Sequence, residues 1–249
     1  MSELELIKPL WPVAARVGAA FTCRGGGLSA PPFASLNIAT HVGDEPAAVA
    51  RNRERMREVL NLPAEPAWLE QVHGVQVTRL EGGATAQAPR ADAVVTREPG
   101  RVCVIQVADC MPVLFAAADG SVIGAAHAGW RGLAAGVLEA TVAALESRPD
   151  ELLAWMGPAI GPRHFEVGEE VRAAFANQDA EAASAFVRNA RGRWQCDLYA
   201  LARLRLRALG LRSIHGGGWC TYADAARFFS YRRDSRCGRM AALIWLSRP

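Results

Sequence analysis

The segment AAHAGWRG, residues 125–132, carries an apolar run directly into a histidine and then into a glycine-flanked turn. Glycine has no Cβ, so such a turn brings the backbone close to whatever lies beside it. A similar break occurs upstream in VCVIQVADCMPVLF, residues 102–115, where Cys110 separates two apolar runs. The position of His127 and Cys110 at the ends of buried strands makes both of them candidate site residues.

The composition is that of an ordinary globular protein, with 249 residues, 51% of them hydrophobic and 21% charged. We expect one domain over residues 1–249, because the chain shows no internal repeat, no low-complexity tract and no clear linker. The formal net charge of +3 is spread along the chain and is too weak to indicate a nucleic-acid partner.

The sequence also predicts a cytoplasmic protein without a membrane segment. No apolar run approaches the length of about 18 residues that a transmembrane helix needs. The start, MSELELIKPLWPV, has no basic segment before an apolar stretch and therefore does not resemble a signal peptide. The six cysteines form no CxxC pair, so we interpret them as reduced thiols.

The order of predicted elements mixes neighbouring strands with helices. Helices are predicted at 43–62, 133–147, 168–176 and 197–209, and strands at 67–80, 101–107, 112–118, 121–127, 152–160, 216–222 and 241–246. Residues 24–37 and 81–92 are predicted as loops. This order favours the α+β class, with mixed β-sheets in a sandwich-like arrangement flanked by helices, over a doubly wound parallel sheet.

Three residues of metal-ligating type lie at predicted strand ends. His73 in EQVHGV and His127 in AAHAGW each close an apolar strand shortly before a glycine, and Cys110 closes another. Two imidazoles and a thiolate are zinc ligands. Their separations along the chain are too wide for a zinc finger, and three protein ligands leave one position open, as in catalytic zinc sites.

The same residues allow two further interpretations. A histidine or a cysteine in an apolar context is often a core residue whose polar atoms are satisfied by neighbours. Alternatively, Cys110 is a nucleophile and His127 its base, in a hydrolase that needs no metal. Composition and spacing leave all three interpretations open.

Eight motifs follow one another along the chain: FTCRGGGLS, SLNIATHVGD, NRERM, EQVHGV, ADCMPVLF, AAHAGWRGL, GPAIGP and FFSYRRD…CGRMAALIWL. In order and spacing they resemble the laccase-domain family of purine nucleoside phosphorylases, whose members are also called multicopper polyphenol oxidases and peptidoglycan editing factors. The resemblance extends from about residue 18 to the end of the chain. It implies that His73, Cys110 and His127 bind zinc.

The resemblance also implies an activity. Members are described as cleaving adenosine, inosine, guanosine and methylthioadenosine with phosphate, which gives the free base and ribose 1-phosphate, and as deaminating adenosine. An open zinc position fits deamination, because zinc lowers the pKa of a bound water enough for attack on the purine C6. The implied partners are therefore purine nucleosides and phosphate.

Two further site residues follow from the resemblance. Arg53 of NRERM is the candidate for holding the phosphate through its planar donor fork, and Asn37 of SLN is the candidate for an orienting hydrogen bond. Each has a plainer interpretation. Arg53 belongs to a charged helix whose arginines are typically solvated, and Asn37 is a residue type that caps turns.

Three features elsewhere in the chain are not assigned to the site. His41 is a turn residue, and HGGGWCTY, with His215 and Cys220, indicates a close crossing of backbone. For Arg232 and Arg233 in SYRRD, contact with phosphate and a salt bridge near Asp234 are equally open, and we assign neither residue to the site.

The name multicopper oxidase fits the composition poorly. Several coppers need about ten histidines, and the chain has 5. One copper ion could replace zinc at the same three ligands, since imidazole and thiolate suit both metals. Editing of a peptidoglycan precursor and the metal-free hydrolase are competing hypotheses for the function. The expected assembly is a monomer or a small homo-oligomer.

Overall fold

The computed structural model describes residues 3–82 and 88–248. Its strands are β1 (Leu6–Ile7), β2 (Val17–Thr22), β3 (Val77–Arg79), β4 (Ala93–Thr96), β5 (Val102–Val107), β6 (Met111–Ala117), β7 (Ile123–Ala128), β8 (Leu152–Met156), β9 (Glu166–Val167), β10 (Phe186–Arg188), β11 (Trp194–Cys196), β12 (Ser213–Gly216) and β13 (Met240–Leu246). Its α-helices are α1 (Pro46–Val59), α2 (Trp130–Ala135), α3 (Val137–Leu145), α4 (Glu169–Ala176), α5 (Leu198–Ala208) and α6 (Tyr231–Asp234). Short 3₁₀ helices span Pro149–Glu151 and Ala180–Ala185.

The strands form two large sheets and one small one. The larger sheet has the order β12-β8-β6-β7-β4-β3, the second has the order β1-β2-β13-β5, and the small one has the order β10-β11-β9. Pairing is antiparallel except for β12 with β8 and β3 with β4, which are parallel. The antiparallel register of β6 and β7 places Met111 opposite Ala128, which brings the start of one strand beside the end of the other.

The two large sheets pack face to face over an apolar core. Because successive strand residues face opposite sides, Leu114 and Ile105 enter this shared core, whereas Phe115 faces the helices that cover the six-stranded sheet. Helix α1 covers the outer face of the four-stranded sheet through Met56, which packs with Leu243. The result is a sandwich of one mixed and one antiparallel sheet flanked by helices, which confirms the predicted α+β class.

Most predicted elements are present near their expected positions, but the predicted helix 133–147 is divided. Helices α2 and α3 meet at Gly136, whose φ of +101° is left-handed and ends the first helix. A left-handed residue interrupts the helical hydrogen-bond pattern, and glycine adopts it without a steric penalty.

Two predicted strands differ from the structure. In the predicted strand 67–80 only Val77–Arg79 is a strand, with isolated bridges at Ala67 and Glu70, because the chain turns at residues 72–74. The predicted strand 216–222 is also wrong. The strand is Ser213–Gly216, and the glycines after it have positive φ values that end sheet geometry. Of the predicted loop 81–92, residues 83–87 lie outside the described residues.

The loop at residues 24–37 is held in one shape by helix α1. The side chain of Asn52 accepts a hydrogen bond from the N–H of Leu28 at 2.8 Å and donates to the carbonyl oxygens of Ser35 and Asn37 at 3.1 and 2.8 Å. These hydrogen bonds pair backbone N–H and carbonyl groups of the loop that have no partner in a sheet. Among the described residues, every helix is too short or too polar to cross a lipid bilayer.

Candidate metal centre

His127 is the penultimate residue of β7 and is buried. Its backbone N–H donates to the carbonyl oxygen of Asp92 at 2.7 Å, and its ring Nδ1 lies 2.8 Å from Asp92 Oδ1. A carboxylate at this position holds Nδ1 as the protonated nitrogen, so Nε2 is the atom available to a ligand.

The same carboxylate shapes the turn that presents His73. Asp92 is fully buried, and its oxygens accept hydrogen bonds from the backbone N–H groups of Val72, His73 and Gly74 at 3.2, 2.9 and 2.6 Å. His73 has a φ of +62°, which is uncommon for a residue with a side chain. The expectation that His73 ends a strand is therefore wrong, because the hydrogen bonds to Asp92 fold this segment into a turn.

Cys110 lies between β5 and β6, directly after Asp109, whose φ is +94°. The Asp109 carboxylate accepts hydrogen bonds from Thr221 Oγ1 at 2.6 Å, Ser230 Oγ at 3.0 Å and the N–H of Arg232 at 2.7 Å. These contacts fix the backbone of the unusual residue and with it the direction of the next side chain.

The three candidate ligands converge. One ligand atom from each of His73, Cys110 and His127 lies within 4.8 Å of the others. Cys110 Sγ is 3.7 Å from His73 Nε2, and the two imidazole rings are 4.7 Å apart at 69°. Gly129 is needed beside them, since a Cβ there would lie 2.8 Å from the Cys110 sulfur. This donor set of two imidazoles and one thiolate fits zinc and also suits copper.

The electrostatics of the group favour a thiolate. Burial would raise the pKa of Cys110, but the charge of His127 and hydrogen bonds from both imidazoles lower it to about 6. Burial would lower the pKa of His127, but Cys110 and Asp92 raise it to about 9. Burial also acts to raise the pKa of Asp92, and its hydrogen bonds from His127, Gly74 and His73 lower it. The metal-free centre is thus a thiolate beside an imidazolium, and a metal ion that binds here displaces the imidazolium proton.

The three residues line a cavity of about 620 Å³. Its wall also contains cationic and aromatic side chains, namely Arg131, Arg232, Arg239, Trp130, Phe165 and Tyr231. Guanidinium groups attract anions, and aromatic faces accept planar rings. The cavity therefore offers contacts for both a phosphate and a nucleobase.

Arg53 lines a neighbouring cavity. Its Nε donates to the carbonyl oxygen of Ile38 at 2.8 Å, and its guanidinium lies 3.6 Å from the ring centre of Trp68. The neighbouring cavity measures about 740 Å³ and shares His41, Leu69, Gln71 and Gln106 with the first. The role of Arg53 toward an anion stays a prediction.

Asn37 is placed differently from the expected ligand contact. It is fully buried, and its amide donates to Ala39 O and Asp44 Oδ2 at 3.1 and 2.8 Å and accepts from the N–H groups of Ala39 and Arg239 at 3.0 and 2.9 Å. The structure does not bring this side chain to the cavity wall. In these contacts Asn37 positions the backbone of Arg239, which does line the cavity.

Asp92, Arg131 and Arg239 are not predicted from the sequence, His41 is interpreted there as a turn residue, and Arg232 is left unassigned. The signal for Asp92 was a lone carboxylate in ADAVV, directly before a buried strand, where a charge needs a partner. His41 and Arg232 both line the cavity of the candidate ligands.

Comparison with known proteins identifies the family. A sequence model of the family "Multi-copper polyphenol oxidoreductase laccase" matches residues 18–247. The chain belongs to this family. This finding confirms the resemblance drawn from the motifs.

Relatives and solved structures extend over nearly the whole chain. The chain is 55% identical to "Purine nucleoside phosphorylase PA4543" of Pseudomonas aeruginosa, over 96% of this chain and 98% of the relative. It is 51% identical to "Purine nucleoside phosphorylase YfiH" of Escherichia coli, over 97% and 99%. The crystal structure of Neisseria meningitidis protein NMB0706 matches with a TM-score of 0.92 and 45% identity, over 98% of this chain and 99% of that chain. YlmD from Geobacillus stearothermophilus matches with a TM-score of 0.88 and 34% identity, over 94% and 93%.

The family name mentions several coppers, whereas the described residues offer one group of ligands. Within residues 3–82 and 88–248, His73, Cys110 and His127 are the one group of three or more histidine, cysteine or acidic ligands close enough to share an ion. Three ligands serve a single ion.

We predict that metal protects Cys110 from alkylation. Iodoacetamide should modify Cys110 slowly in the zinc-loaded protein and faster after chelation, because the metal occupies the sulfur electron pair. In the metal-free protein the rate should rise with pH around a midpoint near 6, the pH at which this thiol ionises. Peptide mass spectrometry measures both rates.

Buried Cys103, whose pKa is raised by burial, is the internal control and should stay unmodified. Equal rates with and without chelator would rule out Cys110 as a ligand.

Removal of the Asp92 carboxylate should weaken metal binding. Asp92→Ala loses the partner of His127 Nδ1 and releases the turn around His73, and loss of such a partner typically costs about 10- to 100-fold in metal affinity. Competition with a chromogenic chelator measures the zinc Kd. Asp119→Ala, which removes an exposed carboxylate from a turn, is the matched control and should leave the Kd unchanged. An unchanged Kd in Asp92→Ala would contradict the assigned role.

Proposed function

We propose that this protein is a purine nucleoside phosphorylase that holds one zinc ion with His73, Cys110 and His127. It converts adenosine, inosine, guanosine or methylthioadenosine and phosphate into the free base and ribose 1-phosphate, and it also deaminates adenosine. The convergence of two imidazoles and a thiolate in one arginine-lined cavity carries this proposal. The names of the relatives from P. aeruginosa and E. coli support it.

The metal ligands are held before any substrate arrives. Asp92 keeps His127 in the tautomer that offers Nε2, and the Asp92 contacts with the turn at residues 72–74 hold the His73 ring beside it. When bound, zinc would act as a Lewis acid that polarises an oxygen of the substrate or of water.

The cavity wall offers contacts for the purine and for the phosphate. Trp130, Phe165 and Tyr231 line the cavity and offer aromatic contacts to the purine, and each of these rings also packs with an arginine. In phosphorolysis a phosphate oxygen attacks the anomeric carbon, the bond to the purine nitrogen breaks, and the purine leaves with that electron pair and takes a proton. Both the phosphate and the developing purine anion are stabilised by cations.

Arg53 is the proposed phosphate ligand. Its contacts with Ile38 O and the Trp68 ring fix the plane of the guanidinium. The cavity that it lines is joined to the metal cavity through His41, Leu69, Gln71 and Gln106. A planar donor fork in the adjoining cavity suits a phosphate that reaches toward the nucleoside.

The competing functions predict different products or metals. Copper in place of zinc would give oxidation of phenols, and editing of a peptidoglycan precursor would give turnover of a muropeptide precursor. The metal-free hydrolase would use Cys110 as the nucleophile and His127 as its base, two side chains that the structure holds in the same group as His73. The metal content of protein purified without added metal distinguishes that hydrolase from the zinc enzyme.

Three broader expectations belong to the same proposal. Residues 1–249 form one domain, which the shared core of the two large sheets supports. The protein acts in the cytoplasm, which its six free cysteines support. It is a monomer or a small homo-oligomer.

We predict that Arg53→Ala separates the two reactions. The variant loses a charge-assisted contact of about 1.5–3 kcal/mol to phosphate, which corresponds to a loss of about 10- to 150-fold in phosphorolysis efficiency. Deamination should fall much less, because water and not phosphate is its nucleophile. Cys110→Ala should abolish both reactions by removing a metal ligand. The measurement is adenosine turnover, with adenine and inosine quantified separately while phosphate is varied.

Two arginine variants serve as controls for this experiment. Arg51→Ala removes an exposed arginine from the same helix and should leave both products unchanged. Arg239→Ala tests a guanidinium in the wall of the metal cavity. If adenine formation falls in Arg239→Ala but not in Arg53→Ala, or if Arg53→Ala lowers both products equally, Arg53 is not the phosphate ligand.

A further inference from the structure

A second thiol and imidazole pair lies outside the metal centre. Cys220 Sγ is 3.4 Å from His164 Nδ1, and the backbone N–H of Gly161 points at the same sulfur from 3.2 Å. The His164 ring stacks on Tyr222 at 4.7 Å and 21°, which fixes its plane. The sequence indicated only a close crossing of backbone here. In the structure this crossing places the Cys220 thiol beside the His164 imidazole.

The pair opens into its own cavity. Cys220 and His164 are half-buried and line a space of about 450 Å³, whose wall includes Arg203 and the backbone of glycines 216–218. A Cβ on Gly218 would meet no atom within 4 Å, so this part of the wall is bare backbone beside open space. Cys220 therefore lines a cavity with room for a small molecule.

The remaining cysteines differ from Cys220 in burial or in role. All six cysteines lie in the described part of the chain, and Cys23, Cys103, Cys196 and Cys237 are buried. Burial raises the pKa of each of these four thiols, and that of Cys23 rises to about 11. Cys110 belongs to the metal centre. Cys220 is thus the thiol that combines access, a base and an N–H donor without a role in metal binding.

The segment that carries Cys220 is anchored firmly. The N–H of Thr221 donates to Ala159 O at 3.0 Å, and its hydroxyl donates to Asp109 Oδ1 at 2.6 Å. Gly161 permits the close approach, since a Cβ there would lie 3.0 Å from Cys220 Cβ and 3.2 Å from its sulfur. These contacts hold the Cys220 sulfur at a fixed distance from the imidazole and from the N–H donor, as a reactive thiol requires.

We propose that Cys220 and His164 form a metal-independent modification site, at which small peroxides oxidise the cysteine to a sulfenic acid. The thiol proton moves to the imidazole of His164, and the sulfur attacks one peroxide oxygen. The O–O bond breaks, and the leaving hydroxide takes the proton from the imidazolium. One thiol and one hydrogen peroxide give one sulfenic acid and one water, with sulfur oxidised and peroxide reduced.

The test is peroxide oxidation of the zinc-loaded protein in the presence of a dimedone probe, with each cysteine peptide followed by mass spectrometry. We expect the label on Cys220 and not on the four buried cysteines. His164→Asn should slow labelling at least about tenfold, because positioned proton transfer contributes that much or more. His215→Ala is the matched control, since that histidine pairs with Ser213 Oγ at 2.7 Å, and it should label at the wild-type rate.

Folding of the variants is checked by thermal melting, and His164→Gln replaces the asparagine variant if the latter has lost its transition. The proposal is overturned if the buried cysteines of the wild-type protein label as fast as Cys220. It is also overturned if a folded His164 variant labels Cys220 at the wild-type rate.

Discussion

The candidate site depends on one buried carboxylate. Asp92 is fully buried and accepts four hydrogen bonds, three from the backbone of residues 72–74 and one from the His127 ring. An unpaired carboxylate would be costly at this depth, so the carboxylate and its donors stabilise one another. Two candidate ligands that are far apart in sequence are thereby held by a single group at the start of β4.

The third ligand is placed by the sheet itself. Antiparallel pairing of β6 and β7 sets Met111 opposite Ala128, so Cys110 and His127 lie at the same end of two central strands of the six-stranded sheet. The direction of the thiol is then set by Asp109, whose left-handed backbone is held by three hydrogen bonds. Backbone strain of this kind costs about 1–3 kcal/mol and persists where surrounding contacts enforce it. The core supplies a rigid frame, and the turns at its edge direct the functional groups.

The sequence predicted the ligand types and the strands because those signals are local. Apolar runs reveal buried strands, and a histidine before a glycine is visible at the end of one. The partnership of Asp92 with His127 is not local, because it depends on β4 and β7 pairing in the folded sheet. Asn37 is a residue for which a sequence motif suggested a ligand contact that the structure does not provide. Its motif indicated a site residue, but only the packing of the loop against Asn52 and Arg239 shows that its amide is buried. The contact between Cys220 and His164 is likewise not visible in the sequence, because the two residues are far apart along the chain.

The central claim is that His73, Cys110 and His127 share one zinc ion. X-ray absorption at the zinc edge of the purified protein tests it most directly. The account predicts one zinc per chain, with one sulfur neighbour at about 2.3 Å and two nitrogen neighbours at about 2.0–2.1 Å. It also predicts that the sulfur signal disappears in Cys110→Ser. Bound zinc without a sulfur neighbour, or a sulfur signal that persists in that variant, would contradict the account.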